Sequence, residues 1–205
     1  MPAHRCHVGG AGEQVAMAWR WLWGPGLACA LAIAAPARAA KPLEITPVPD
    51  ANALRVSGSI EAGFSDRVQA ALAAQPGVRV LIVHSRGGLL SEARKLADVL
   101  NARRIAIRAE GRCASACAVL WAATDARQLT ADACLGLHRS KWSVALPARI
   151  RAWWERRSDR ANVRTFIAAG FPPALASRAA QTPSSSMYWV DARELQRERV
   201  EFALQ

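Results

Sequence analysis

The sequence predicts an α/β fold in which strands and helices alternate, and three observations carry that reading. Residues 78–83, VRVLIV, form a β-branched run with the apolar character of a parallel strand buried on both faces. After Ser85-Arg86-Gly87-Gly88, apolar residues at 89, 93, 96, 97 and 100 trace one face of a helix spanning 89–102. Ile105-Ala106-Ile107-Arg108 then resumes an extended pattern. Strand, helix and strand in this order argue for stacked βα units with right-handed crossovers.

The remaining elements extend the pattern in both directions. Residues 54–60 alternate as a strand would. Ser65 is placed to cap a helix running to about Gln75, where Pro76-Gly77 stops it. A helix begins near Ser115 in GRCASACAVLWAA, residues 111–123, and residues 128–137 supply a short strand ending at Leu137-His138. An Arg-rich helix over 146–169 reads as an arm appended to the domain, with Pro172-Pro173 ending it. A short helix and a terminal segment at 188–200 follow. One domain, 40–205, accounts for this order, and no repeat or low-complexity tract interrupts it.

Residues 1–39 are set aside. Arg20, the apolar stretch 27–35 and Pro36-Ala37-Arg38-Ala39 make a charged region, a short apolar region and an A-x-A cleavage signal. Gly24-Pro25-Gly26 leaves the apolar run short of the roughly 20 residues a membrane span needs. The reading is a secretory signal cut after Ala39, and a start at Met17 gives it a more usual length. The expected location is therefore periplasmic or secreted. Cleavage leaves 24 basic and 15 acidic side chains, a net charge of +9 that suits an anionic membrane or cell-wall surface. Nucleic acid is the weaker partner, because export removes it and no recognition motif is visible. Of the remaining Cys113, Cys117 and Cys134, an oxidising compartment can pair two. Their spacing lacks a second ligand pair for zinc, and neither metal nor cofactor is expected.

Three features fall at the carboxyl ends of consecutive elements, the edge where open α/β sheets place their sites. Gly87-Gly88 is an ordinary tight turn, or a place where a backbone amide approaches a ligand closely. Ser115 either caps its helix or acts as a nucleophile, with the Ala116 amide helping to hold an oxyanion. His138 is structural or takes the hydroxyl proton, while His84 supports the glycine turn.

Strand–Ser85-Arg86-Gly87-Gly88–helix, then strand–Gly111-x-Cys113-Ala114-Ser115-Ala116-Cys117–helix, then Gly136-Leu137-His138, resembles the ClpP/crotonase superfamily. The similarity is to ClpP-like serine peptidases and their exported relatives, and it runs from about Leu54 to Val200. It implies Ser115 as nucleophile, His138 as base, and Gly88 and Ala116 as oxyanion-hole amides with Gly87 supporting the turn. The arm at 146–169 resembles the helical handle through which ClpP-like subunits associate, which implies a homo-oligomer.

Two departures qualify the resemblance. Met187 stands where those peptidases carry the aspartate that orients the histidine, and Asp191 occupies a different place in the segment. The cysteines flanking Ser115 replace small or apolar neighbours. A Cys113–Cys117 bridge could brace the nucleophile turn, with Cys134 as a rival partner and inert buried thiols as the alternative.

Weaker signals remain. Lys141 raises a Ser–Lys dyad, without a matching context. The arginine face of the long helix is a solvated surface or a polymer contact, and Trp153-Trp154 fill a core or a subunit contact. The expectation is an exported ClpP-like serine hydrolase, an ATP-independent peptidase acting on polypeptide through a Ser115–His138 dyad. The alternative is a catalytically inactive binding or assembly protein of the same fold. Acyl-CoA chemistry of the crotonase kind is disfavoured by the signal.

Overall fold

A computed structural model describes residues 41–142 and 144–205, so the expected signal segment, 1–39, lies outside the described residues. The strands are β1 (Glu44–Val48), β2 (Ala53–Ser57), β3 (Val80–Ser85), β4 (Ala106–Ala114), β5 (Arg127–Leu129), β6 (Cys134–Leu137), β7 (Tyr188–Asp191) and β8 (Ala203–Leu204). The helices are α1 (Phe64–Ala74), α2 (Leu90–Arg103), α3 (Ala116–Ala123), α4 (Ala148–Ala168), α5 (Pro173–Gln181) and α6 (Ala192–Arg197). The α/β class holds: β2, β3, β4, β5 and β8 run parallel in that order, with β1 antiparallel at the edge.

β4 changes partner along its length. Its first half pairs β5, from Ile107–Arg127 to Ala109–Leu129, while its second half pairs β6, from Arg112–Cys134 to Ala114–Gly136. β7 then closes antiparallel on β6. Helices pack in succession, α1 on α2, α2 on α3, α3 on α4 and α4 on α5. The core between them and the sheet is filled by residues such as Leu54, Leu81, Leu96, Ile107, Leu120 and Trp121, all buried.

Several boundaries differ from the sequence reading, each for a physical reason. β1 lies outside the elements the sequence predicts; it is a mostly exposed edge strand, one of the places in a sheet that tolerate a proline such as Pro47. The predicted strand at 54–60 ends at Ser57, and Ile60 makes an isolated bridge to Gly88. Helix α1 starts at Phe64 after Gly63, and Ser65 is not its cap. Instead, the Glu92 carboxylate of α2 accepts the Ser65 N–H at 2.9 Å, so the cap comes from a neighbouring helix. The strand expected at 105–108 runs to Ala114, passing a bulge at Gly111 (φ +60°). The single strand expected over 128–137 is two, β5 and β6. The arm helix stops at Ala168, before Gly170, and Pro173 begins α5 rather than ending α4.

Candidate active site

Ser115 lies between the end of β4 and the first residue of α3, with φ 58° and ψ −122°. A non-glycine residue held there costs about 1–3 kcal/mol and persists only where its surroundings enforce it. Here the Ser115 N–H donates to Gly136 O at 2.8 Å, tying the turn to β6, and its carbonyl accepts the Val119 N–H at 3.2 Å. A disulfide joins Cys113 to Cys117 across the turn, with Cα atoms 5.1 Å apart. Both cysteines are buried, and the pairing excludes Cys134 from that bridge. The Ser115 side chain makes no capping bond, so its hydroxyl does not do what a helix-capping serine does.

The glycine turn presses on this elbow. A Cβ on Gly87 (φ +96°) would lie 2.6 Å from Ala114 O, 2.7 Å from Ser115 Cβ and 2.9 Å from Ala116 N. One on Gly88 (φ +148°) would fall 2.1 Å from Ile60 O. Close approach and positive φ both demand glycine at these two positions. Ile60 N–H donates to Gly87 O at 2.9 Å and Leu89 N–H to Ile60 O at 2.7 Å. The Gly88 amide between them donates to no group among the described residues. Ala116 is the first residue of α3, so its amide has no carbonyl one turn back. Among the described residues, neither the Gly88 nor the Ala116 amide thus has a hydrogen-bond partner, and Gly88 lines the same cavity as Ser115. Ser85, which sequence reasoning passed over, holds the turn: its hydroxyl donates to Gly58 O at 2.5 Å and accepts the Gly87 N–H at 3.1 Å. A serine two residues ahead of a glycine is a signal for such a side-chain turn.

His138 follows β6 directly and lines the same cavity of about 810 Å³ as Ser115, Gly87 and Gly88. Its Nδ1 lies 2.8 Å from Arg139 O. A carbonyl only accepts, so Nδ1 carries hydrogen and the neutral ring leaves Nε2 as its basic nitrogen. Burial pushes the His138 pKa below the ordinary imidazole value, against smaller raising effects from the Arg139 carbonyl and the Asp159 charge. Ser115 Oγ and the ring share the cavity without a hydrogen bond between them; such contacts often tighten only around substrate.

The other residues singled out fall as follows. His84 does not support the glycine turn; its Nδ1 faces Glu110 O at 3.0 Å and Arg112 N at 3.3 Å, bracing the β4 bulge. Met187 packs on Gly136, its Sδ 2.7 Å from where a Cβ on that glycine would stand. Asp191 pairs in register with Cys134 at the far end of β6 and accepts the Glu194 N–H at 2.8 Å, capping α6. It is a cap, away from the histidine. Lys141 lines the cavity, as do Leu89, Trp142, Val144 and Phe166. Trp153 and Trp154 are not core residues, being 46% and 37% exposed. No group of three or more His, Cys, Asp or Glu side chains placed to hold a metal occurs among the described residues.

The mostly parallel sheet with its succession of packed helices is a ClpP-like fold, and comparison with a solved structure bears this out. A ClpP1 point mutant from Listeria monocytogenes superposes with a TM-score of 0.60 at 16% identity, covering 76% of this chain and 92% of that one. No protein-family profile matches the chain, and no curated protein matches it.

Proposed function

We propose that this chain is an exported ClpP-like serine hydrolase, a peptidase that needs no ATP of its own. The observation that carries the reading is the strained Ser115 elbow, whose uncapped hydroxyl opens into a cavity shared with His138 and the glycine turn. In this reaction the Ser115 hydroxyl attacks a peptide carbonyl carbon while its proton passes to His138 Nε2. The carbonyl electron pair moves onto oxygen, where the Gly88 and Ala116 amides receive it; losing one such donor costs about 2.7–4 kcal/mol of transition-state stabilisation. The tetrahedral species then expels the amine, protonated by the imidazolium, and water repeats the sequence on the acyl-enzyme. The apolar lining from Leu89, Val119, Val144 and Phe166 suits an apolar side chain of a polypeptide substrate.

The Cys113–Cys117 disulfide supports export, since such bonds persist in oxidising compartments. No helix among the described residues is long and apolar enough to cross a membrane. The exposed aromatic surface of α4 supports association of subunits through the arm, and the positive charge supports contact with an anionic membrane or cell-wall surface. A binding or assembly protein without chemistry is the second reading, favoured by Met187 where the resemblance expects an aspartate.

Labelling with a fluorophosphonate tests the proposal. The expected result is a covalent adduct on the oxidised protein that disappears in Ser115→Ala. Equal labelling of both proteins, or none of either, leaves the binding protein as the better account. The pH dependence has a definite sign. Only neutral His138 accepts the proton and burial holds its pKa down, so labelling stays level near pH 7. The rate then falls only as pH drops through that depressed value, which lies below the free imidazole value of about 6.5. The same ring contributes stability that is present above the free value and lost as pH falls through its depressed folded one.

A further inference from the structure

His138 lacks a carboxylate at the position the resemblance supplies one, yet its loop is held by another. The His138 Nδ1–H donates to the Arg139 carbonyl at 2.8 Å. The N–H at the other end of that same peptide, on Ser140, donates to Asp159 Oδ1 of α4 at 2.6 Å. In a trans peptide the carbonyl and the N–H point to opposite sides, so imidazole, peptide and carboxylate form one chain of donors and acceptors. We propose that Asp159 is the positioning carboxylate for His138, acting through the Arg139–Ser140 peptide; this rests on the Ser115–His138 reading above.

The physics is cooperative. An N–H donating to a carboxylate makes a short, charge-assisted bond and polarises its peptide, which leaves the carbonyl a better acceptor. That carbonyl fixes the Nδ1–H tautomer and stabilises the imidazolium that forms when Nε2 takes a proton. The residues on either side of the peptide are clamped. Arg139 N–H donates to Thr182 O at 2.9 Å, and Ser140 Oγ accepts from Asn162 Nδ2 at 3.2 Å. Asn162 is 4% exposed, and its Oδ1 accepts from Arg94 Nη2 of α2 at 2.7 Å. The relay is thus anchored to α2 and to the chain entering β7.

Other charges stand near the ring. Glu61 lines the cavity beyond the glycine turn, Lys141 lines it from the histidine's own loop, and Arg139 is the next residue. Glu155 of α4 accepts the Trp142 N–H at 3.2 Å. Among the charged side chains of the described residues, Asp159 is the one whose field favours the protonated His138 ring.

The test is an NMR titration of His138 in the full chain, assigned by comparison with His138→Gln, in wild type and Asp159→Asn. Asparagine keeps an oxygen for the Ser140 N–H and removes the charge. The expected result is a His138 midpoint moved to lower pH by about half a unit, with Asp159→Glu moving it back toward wild type. A midpoint unchanged in Asp159→Asn, with the fold intact by thermal unfolding, overturns the proposal. If Asp159→Asn does not fold, an Asp159→Glu midpoint matching wild type supports the relay, and one displaced to lower pH overturns it. Ser115-dependent labelling is followed in parallel and is expected to slow about tenfold in Asp159→Asn. Absence of labelling in wild type removes the hydrolase reading, while the titration still decides the role of Asp159.

Discussion

The serine elbow and the first half of α4 are built on opposite terms. Around Ser115 the chain is enclosed: Cys113, Ala116, Cys117 and Ala118 are fully buried, and the turn is held by a disulfide, a bond to β6 and a glycine that admits no side chain. Along α4, Asn162 and Phe166 are the buried residues, and both lie in its second half. The first half shows Ile150, Trp153 and Trp154 to solvent and has Arg149 and Arg151 in its opening turn, where cations oppose the helix dipole. It is steadied by ring contacts, Trp142 on Trp154 at 5.5 Å and Trp153 on Trp154 at 4.7 Å, with Arg157 over Trp153. The difference teaches what each region needs. A strained backbone is enforced from all sides within one chain, whereas the apolar side chains of the arm stay outside the core.

Three changes press on that contrast, the largest effect first. Gly87→Ala drives a Cβ into the backbone of residues 114 and 116 at a positive φ, and is expected to cost about 2–4 kcal/mol in denaturant unfolding and to abolish labelling at Ser115. Tolerance of this substitution would mean that the elbow is looser than its packing implies. Reduction of Cys113–Cys117 comes next. Closing so short a loop is worth only about 2 kcal/mol by chain entropy, but misplacing a nucleophile is expected to slow labelling about 10- to 100-fold. Equal rates with and without dithiothreitol would show that hydrogen bonds and glycine packing alone hold the turn. The smallest effect on the single chain belongs to Trp153→Ser, expected to change unfolding by about 1 kcal/mol or less. Sedimentation of the same variant is expected to show a smaller particle; unchanged sedimentation would return the arm to the solvated surfaces and erase the contrast.

The sequence made some of these features legible and hid others, along physical lines. The run Val80–Val83 and the helical face from Ala93 to Leu100 announce themselves because burial imposes their periodicity. Ser115, Gly87, Gly88 and His138 were visible as an order of motifs, and the cavity that three elements line together depends on that order. The full length of β4 was hidden because Arg108, Glu110 and Arg112 interrupt its apolar character and Gly111 bends it. The Glu92 cap on α1 and the Asp159 bond to Ser140 were hidden for a different reason. Each joins side chain to backbone across elements, at separations of 27 and 19 residues, and no local propensity encodes such a meeting.

A strand that serves two partners in succession divides the sheet into leaves on a shared stem. The β6–β7 leaf bears the histidine, while the β5–β8 leaf does not. If the first opens independently of the second, the gap beside the serine changes width with it. Amide exchange faster in Leu135 and Val190 than in Leu129 would be the sign of that freedom.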